Sequence, residues 1–328
     1  MILNYALKLG YTPLFCDLDL ENEITVPGGI GATLVDYLVP NDLLFDNGIS
    51  YFFGDVYDKN GENMNWYLYK MQLVELGNAC YEKLEVDLQN WKKRMNIENK
   101  DNLNNYLTSP KPTLFASGMV VRCPIIDNGE DIYKKIIETF KITNIFVIED
   151  EKLKNTFNNI IKKNISLELI SRLVTGSDLT EEEKRQRSIA KYLKGPYGNF
   201  GLKQIKLDLN EYKLIKIVPS QISKGMVPLG LNADLKIIFK IYSIRDEEEL
   251  LKKLVCFVYL DEKEIQELDK EFDKNPNNYT EKFAKATVSY FGFIKSIDKE
   301  NNIITIFCPN DKPVHKYILV GNIKYDNN

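Results

Sequence analysis

The sequence predicts an α/β core followed by a second, β-rich unit. Three observations carry that prediction. Residues 12 to about 150 alternate strand-like and helix-like apolar patterns. Apolar residues recur at helical spacing through Trp66, Leu68, Tyr69, Leu73, Leu76, Cys80 and Leu84. From about residue 211 the pattern changes to short strands separated by turns. With 328 residues the chain can build two sizeable cores, because single cores rarely grow beyond about 250–300 residues.

The elements follow in order. Met1 to Gly10 is helix-like and leads into a short buried strand, Leu14 to Leu18, that ends in acids. Pro27 to Ala32 is a glycine-rich turn cluster, and Ile49 to Gly54 is a second apolar strand closed by Gly54. After the Asn/Gly-rich loop at Asp58 to Asn65 comes the helix that starts near Trp66 and covers one face of the sheet. Residues 89–112 are polar and Asn-rich, end in Pro110-Lys111-Pro112, and read as a surface insertion. A strand from Thr113 to Val121, a helix from about Gly129 to Phe140 and a strong strand, Ile142 to Ile148, make one right-handed βαβ unit. Strand signals near Ile165 to Leu173 and Ile205 to Leu209 flank a charged helix. The first domain thus runs over 1–210. The second, 211–328, is joined through Pro219 to Pro228 and carries strands at Tyr212 to Val218, Leu235 to Tyr242 and Leu254 to Leu260. It ends in a hairpin, Val288 to Ile297 with Ile303 to Phe307.

Composition narrows the function classes. The 44% hydrophobic content suits a globular protein, and no run approaches the roughly 20 apolar residues that cross a bilayer. The first residues lack the features of a signal peptide, so the expected compartment is the cytosol or nucleus. A net charge of −4 argues against nucleic-acid binding through global charge, leaving only local RNA contacts. Five scattered cysteines without a C-x-x-C pair read as reduced core thiols. The single histidine, His315, argues against histidine-based metal binding or a nucleophile–histidine dyad, and its place beside Lys316 reads as surface.

The strand tip Asp17-Leu18-Asp19 holds the chain's best candidate for chemistry. Doubly wound sheets place their sites at carboxyl strand ends, and a carboxylate there can hold Mg²⁺ or orient an attacking hydroxyl. The same two acids equally suit the capping of a turn. The 328 residues contain no G-x-x-x-x-G-K-[ST] phosphate loop. Gly28-Gly29-Ile30-Gly31 is not such a loop, since no Lys-Ser/Thr follows it. Thr180 with Glu183 is a capping box that opens a helix over 180–195, acidic at its start, basic later and stopped by Gly195. From the residues alone this is a solvated amphipathic helix.

Several stretches together resemble the eukaryotic polyribonucleotide 5′-hydroxyl kinase family, in particular its branch of pre-mRNA cleavage complex II (cleavage factor IA) subunits. They are Asn4 to Gly10, Pro13 to Asp19, Ile24 to Gly28 with Gly31-Ala32, Tyr51 to Gly54, Leu68 to Lys70, Ser117-Gly118 and Val227 to Gly230. The resemblance implies a P-loop NTPase-like, mostly parallel sheet whose first strand and phosphate loop are missing here, with a C-terminal β-rich α+β domain. It also makes Met1 an internal methionine or the start of a truncated chain, and the 328 residues a fragment.

The resemblance assigns roles to residues. Asp19 becomes the catalytic and Mg²⁺-holding carboxylate, and Asp17 supports it at the ATP site. Gly28 belongs to a substrate-side loop. Arg122-Cys123-Pro124-Ile125 stands where the family has a Cys-Gly-Trp turn whose tryptophan stacks on the RNA base. Ile125 cannot stack that way, and such stacking contributes about 1–3 kcal/mol per base. The helix over 180–195 becomes the lid. Arg185 matches its first arginine, the second falls on Ala190, and Arg187 and Lys191 are the neighbouring cations, although lysine lacks arginine's fork. The active kinases carry Gly-Gln after the aspartate, where this chain has Leu20-Glu21-Asn22.

These departures add to the missing phosphate loop. Phosphoryl transfer needs the triphosphate held, the metal placed and the charge neutralised together. The expectation is therefore a nuclear, non-catalytic assembly subunit of the mRNA 3′-end cleavage and polyadenylation machinery. ATP and Mg²⁺ are cofactors of the full-length family and are not expected to bind this fragment. The implied partners are other cleavage factor subunits, notably the one that reads the RNA polymerase II tail, and RNA, with the tRNA splicing endonuclease as a further candidate and no membrane. The alternative is an active ATP-dependent RNA 5′-hydroxyl kinase within a longer chain.

Overall fold

A computed structural model describes residues 2–20, 27–38, 48–56, 64–101, 114–171, 180–195, 201–220 and 237–326, with the backbone alone for 94–101 and 181. The α/β unit comprises α1 (Ile2–Lys8), β1 (Leu14–Asp17), β2 (Gly29–Leu34), β3 (Ile49–Phe52), α2 (Trp66–Asp101), α3 (Leu114–Ser117), β4 (Met119–Arg122), α4 (Glu130–Thr139), β5 (Asn144–Ile148), α5 (Glu151–Ile160) and β6 (Ser166–Ile170). Then come α6 (Glu181–Lys194), β7 (Lys203–Asp208), β8 (Lys213–Pro219), β9 (Ile237–Tyr242), α7 (Glu247–Leu250), β10 (Lys253–Val258), α8 (Glu262–Glu271), α9 (Thr280–Lys285), β11 (Val288–Asp298), β12 (Ile303–Cys308) and β13 (Tyr317–Lys324).

The first sheet has the order β3-β2-β1-β4. Its β1 and β4 run parallel, while β2 is antiparallel to both β1 and β3. A separate parallel pair, β5-β6, lies further along the chain. The expected α/β class holds, with parallel pairing at β1–β4 and β5–β6 and an antiparallel insertion at β2. That insertion comes from the segment read as a turn cluster, where only Pro27 and Gly28 turn and the chain is extended from Gly29 onward. Among the described residues β4 pairs only with β1, and β5 only with β6. The 113–148 stretch is therefore not one paired βαβ unit, because its two strands lie in different sheets.

Three local expectations shift. The strand expected over 113–121 is instead a helical turn, α3, and then β4, with Gly118 at φ +69° between them. The long helix α2 continues to Asp101, through the first part of the stretch read as an insertion, since no Gly or Pro interrupts residues 78–101. Residues 102–112 lie outside the described ones, as do Glu21 to Val26, Val227 to Gly230 and most of the loop at 58–65. One core lies under the α/β sheet, where Leu68, Tyr69, Leu73, Leu76 and Cys80 of α2 meet Cys16, Leu18 and Ile30. The Cys16 and Cys80 thiols sit 3.7 Å apart as free cysteines.

The seven-stranded sheet has the order β7-β12-β11-β10-β13-β8-β9. It places β7, expected in the first domain, at its edge beside β12. Helix α6 buries Ile189 and Leu193 in this unit's core, and Tyr192 Oη accepts a hydrogen bond from Phe291 N–H at 3.1 Å. Helix α6 and β7 both pack with the seven-stranded sheet. His315 is 7% exposed, not a surface residue: its Nε2 lies 2.9 Å from the Val258 carbonyl, and its Nδ1 accepts from Tyr317 N–H. Among the described residues no helix is long and apolar enough to cross a membrane.

Candidate functional site

Strands β1 and β4 are in register, with Asp17 opposite Arg122. Parallel neighbours at one register point to the same face, so the guanidinium and the acids meet at the carboxyl ends of both strands. Arg122 Nη2 lies 2.7 Å from Asp19 Oδ2, and Nη1 lies 3.5 Å from Asp17 Oδ2. The Asp19 N–H also donates to Asp17 Oδ1 at 3.3 Å. Both carboxylates are buried, at 2% exposure for Asp17 and 7% for Asp19. Buried charges persist only when paired and hydrogen-bonded, and Arg122 supplies that pairing.

The tip is fixed from behind. Tyr69 Oη on α2 donates to the Leu18 carbonyl at 2.7 Å, and Leu18 N–H donates to the Arg122 carbonyl at 3.0 Å. Leu18 and Leu20 are fully buried, so alternate residues of the tip are held in the core. Burial, with the Asp19 charge as a smaller cause, pushes the Cys123 thiol up to about 12. That cysteine is a packed thiol, not a nucleophile.

Of the residues singled out in the sequence, the fold brings together Asp17, Asp19 and Arg122. The others lie elsewhere. Gly28, at φ +70°, packs against the β-rich unit: a Cβ there would lie 2.9 Å from Ile323 and 3.3 Å from Phe52. Ile125 is 61% exposed on the loop after β4. Arg185 and Arg187 ride on α6, which is docked on the seven-stranded sheet; Gln186 between them donates to the Lys324 carbonyl at 2.7 Å and accepts from Asp326 N–H. Arg185 pairs with Glu182 one turn back. Sequence reasoning missed Tyr69 as the anchor of the tip, since its helical spacing marks it only as core.

As it stands the cluster is an ion-paired network. Among the described residues no three His, Cys, Asp or Glu side chains gather to hold a metal. Asp19 Oδ2 is engaged by a cation, which opposes a second cation at the same oxygen. The residues present do not by themselves fit ATP and Mg²⁺.

Comparison with known proteins agrees with the geometry of the strands. Residues 1–99 match the family model described as mRNA cleavage and polyadenylation factor CLP1 P-loop. The chain is 21% identical over 326 residues to the protein CLP1 homolog of Anopheles gambiae, covering 98% of this chain and 67% of that protein. It is 20% identical over 338 residues to the human polyribonucleotide 5′-hydroxyl-kinase Clp1, covering 99% of this chain and 68% of that one. The chain thus spans about two thirds of the length of these relatives. Among solved structures, a chain from a study of the extended interface between Pcf11p and Clp1p superposes with a TM-score of 0.68 at 18% identity, covering 99% of this chain and 70% of that chain. A wild-type Clp1p–Pcf11p complex gives 0.66 at the same identity. On these matches the chain is similar to Clp1 proteins over nearly its whole length, and it shares the fold of the Clp1p structures.

Proposed function

We propose that this chain acts as a Clp1-like assembly subunit of the mRNA 3′-end cleavage and polyadenylation machinery, working in the nucleus and non-catalytic in the 328 residues given. The observation that carries the reading is the Asp17–Arg122–Asp19 network. The strand tip that the resemblance assigns to metal and substrate is closed on itself by a 2.7 Å ion pair. The sequence adds Ile125 in place of a stacking aromatic and Ala190 in place of an arginine on α6. The partner proposed is a Pcf11-type cleavage factor subunit, in keeping with the partner named in the related structures. ATP is a ligand of the wider family and is assigned no step here.

A radiolabel transfer assay on 5′-hydroxyl RNA, run beside co-purification with a Pcf11-type subunit, tests this. The expected result is stable association without transfer. The second reading, an RNA 5′-hydroxyl kinase, is favoured by the retention of all three charges at the carboxyl edge. Transfer that disappears in Asp19→Asn would establish it and overturn the scaffold reading.

A further inference from the structure

Two nucleophilic side chains that the charged cluster does not use face each other behind it. Cys16 lies on β1, directly before Asp17, and Cys80 lies on α2. They are 64 residues apart in sequence, and their Sγ atoms are 3.7 Å apart. Both are free and buried. No other thiol–thiol contact occurs among the described residues.

The packing of strand on helix holds the two sulfurs together. Leu14, Cys16 and Leu18 alternate along β1 and share a core with Leu76, Cys80 and Leu84 of α2, while Phe15 turns to the opposite face. About three turns earlier on α2, Tyr69 Oη donates to the Leu18 carbonyl. The helix therefore grips the strand both at the thiols and at the tip beyond them.

This contact is close to a bond, and its two members are unequal. Disulfide sulfurs lie about 2.05 Å apart, so each sulfur has about 0.8 Å to move from the observed 3.7 Å. The Cys16 S–H, donating to Cys80, draws the Cys80 thiol below its ordinary pKa against the effect of burial. The same hydrogen bond, together with burial and the charge of Asp17, holds Cys16 well above it. Cys80 is thus the sulfur that ionises first, and a thiolate is the attacking form.

We propose that Cys16 and Cys80 are an oxidation site, forming a reversible disulfide with hydrogen peroxide as oxidant and so fastening β1 to α2 directly before the Asp17–Arg122–Asp19 network. The Cys80 sulfur attacks one peroxide oxygen and the O–O bond breaks. Cys80 becomes a sulfenic acid, and the other oxygen leaves as water with the Cys80 proton. The Cys16 sulfur then attacks the sulfenic sulfur, and the S–O bond breaks. Its oxygen leaves as a second water with the Cys16 proton. Two thiols lose two electrons, and one peroxide is reduced to two waters. Hydrogen peroxide is close to water in size, and local opening of a helix admits it to a buried thiol. Disulfides in reducing compartments are of this transient, redox-responsive kind.

Treatment of the whole chain with dilute hydrogen peroxide, then alkylation in denaturant and peptide mass spectrometry without reduction, tests the pair. The expected result is a Cys16–Cys80 crosslinked peptide and a fall from five alkylatable thiols to three, restored by dithiothreitol. The pair should react about tenfold faster than Cys256, whose thiol burial holds well above its ordinary value. The urea midpoint should rise in the oxidised chain, because the bond constrains the unfolded state, and return on reduction. Two variants assign the order of attack. Cys16→Ala should leave Cys80 as a sulfenic acid that dimedone captures, and Cys80→Ala should leave Cys16 unmodified over the same time. Dimedone capture in Cys80→Ala alone overturns that order. Cys256→Ala should still give the crosslink. A folded parent chain that keeps all five thiols, a crosslink from either residue to another cysteine, or a Cys16–Cys80 bond that forms only after urea has unfolded the chain overturns the proposal.

Discussion

Strands β5 and β10 have similar apolar sequences and opposite fates. In β10, Lys253 to Val258, every residue is buried, because the strand has β11 and β13 on its two sides and packed layers on both faces. In β5, Asn144 to Ile148, only Val147 is buried, while Phe146 is 49% and Ile148 60% exposed. Apolar, β-branched composition makes a strand, but neighbours decide whether it becomes core. The β-rich unit encloses its central strands, and its sheet ends in edges at β7 and β9. The α/β unit presents open strand edges at β4, which carries Arg122 of the charged cluster, and at β5 among the described residues.

The largest expected effect lies inside the seven-stranded sheet. Phe257 is fully buried and stacks on Tyr290 with ring centroids 4.4 Å apart. Phe257→Ala should cost about 3–5 kcal/mol, the usual range for emptying an aromatic site. Phe146→Ala on β5 should cost about 1 kcal/mol, since half of that ring never leaves water. Urea unfolding of the two variants measures the contrast, and equal losses would mean that β5 is as enclosed as β10.

Arg122→Met is expected next in size. It leaves Asp17 and Asp19 buried side by side without their cation, at a cost of about 3 kcal/mol. Adding Asp19→Asn to Arg122→Met should recover part of that loss. If the double variant is no better than the single one in the same urea measurement, the cluster is not held by charge pairing.

A smaller effect belongs to the β-rich unit alone. Burial holds His315 below its ordinary value of 6.5, so the folded state binds fewer protons than the unfolded state. Stability then rises with pH across that window, and is lost as pH falls below the unfolded value towards the folded one. Melting temperature should fall between about pH 7.5 and about pH 5.5, and the fall should shrink in His315→Gln, whose amide can still donate to the Val258 carbonyl. An unchanged pH dependence in the variant would assign the titration to other groups.

Periodicity made the main elements legible. The spacing from Trp66 to Leu84 located α2, and short apolar runs between turns located β8, β10, β11 and β12 within a residue or two. The capping box at Thr180 and Glu183 is present as read, with Thr180 Oγ1 accepting from Glu183 N–H. What one-dimensional pattern could not carry was pairing. Glycines at 28, 29 and 31 signal turns locally, yet β2 is a strand because its neighbours need small residues at close approach. Lys203 to Asp208 looks like the end of the first domain until β12 is seen beside it. At the site, Asp19 and Arg122 are 103 residues apart. Their ion pair depends on β1 and β4 being parallel neighbours in register, which neither segment encodes by itself.

The smallest energetic effect sharpens the opening comparison most. Ile148→Lys replaces a 60% exposed apolar side chain on a strand that pairs on one side only among the described residues. A substitution at such a position should move stability by no more than about 0.5 kcal/mol. Its effect should appear instead in association, because an unpaired parallel edge carrying Phe146 and Ile148 is a template for another strand, and an edge lysine blocks that pairing. Light scattering against concentration should therefore fall in Ile148→Lys while the urea midpoint stays put. A loss of several kcal/mol with no change in scattering would mean that this face is already covered, and the contrast between β5 and β10 would no longer be one of open against closed.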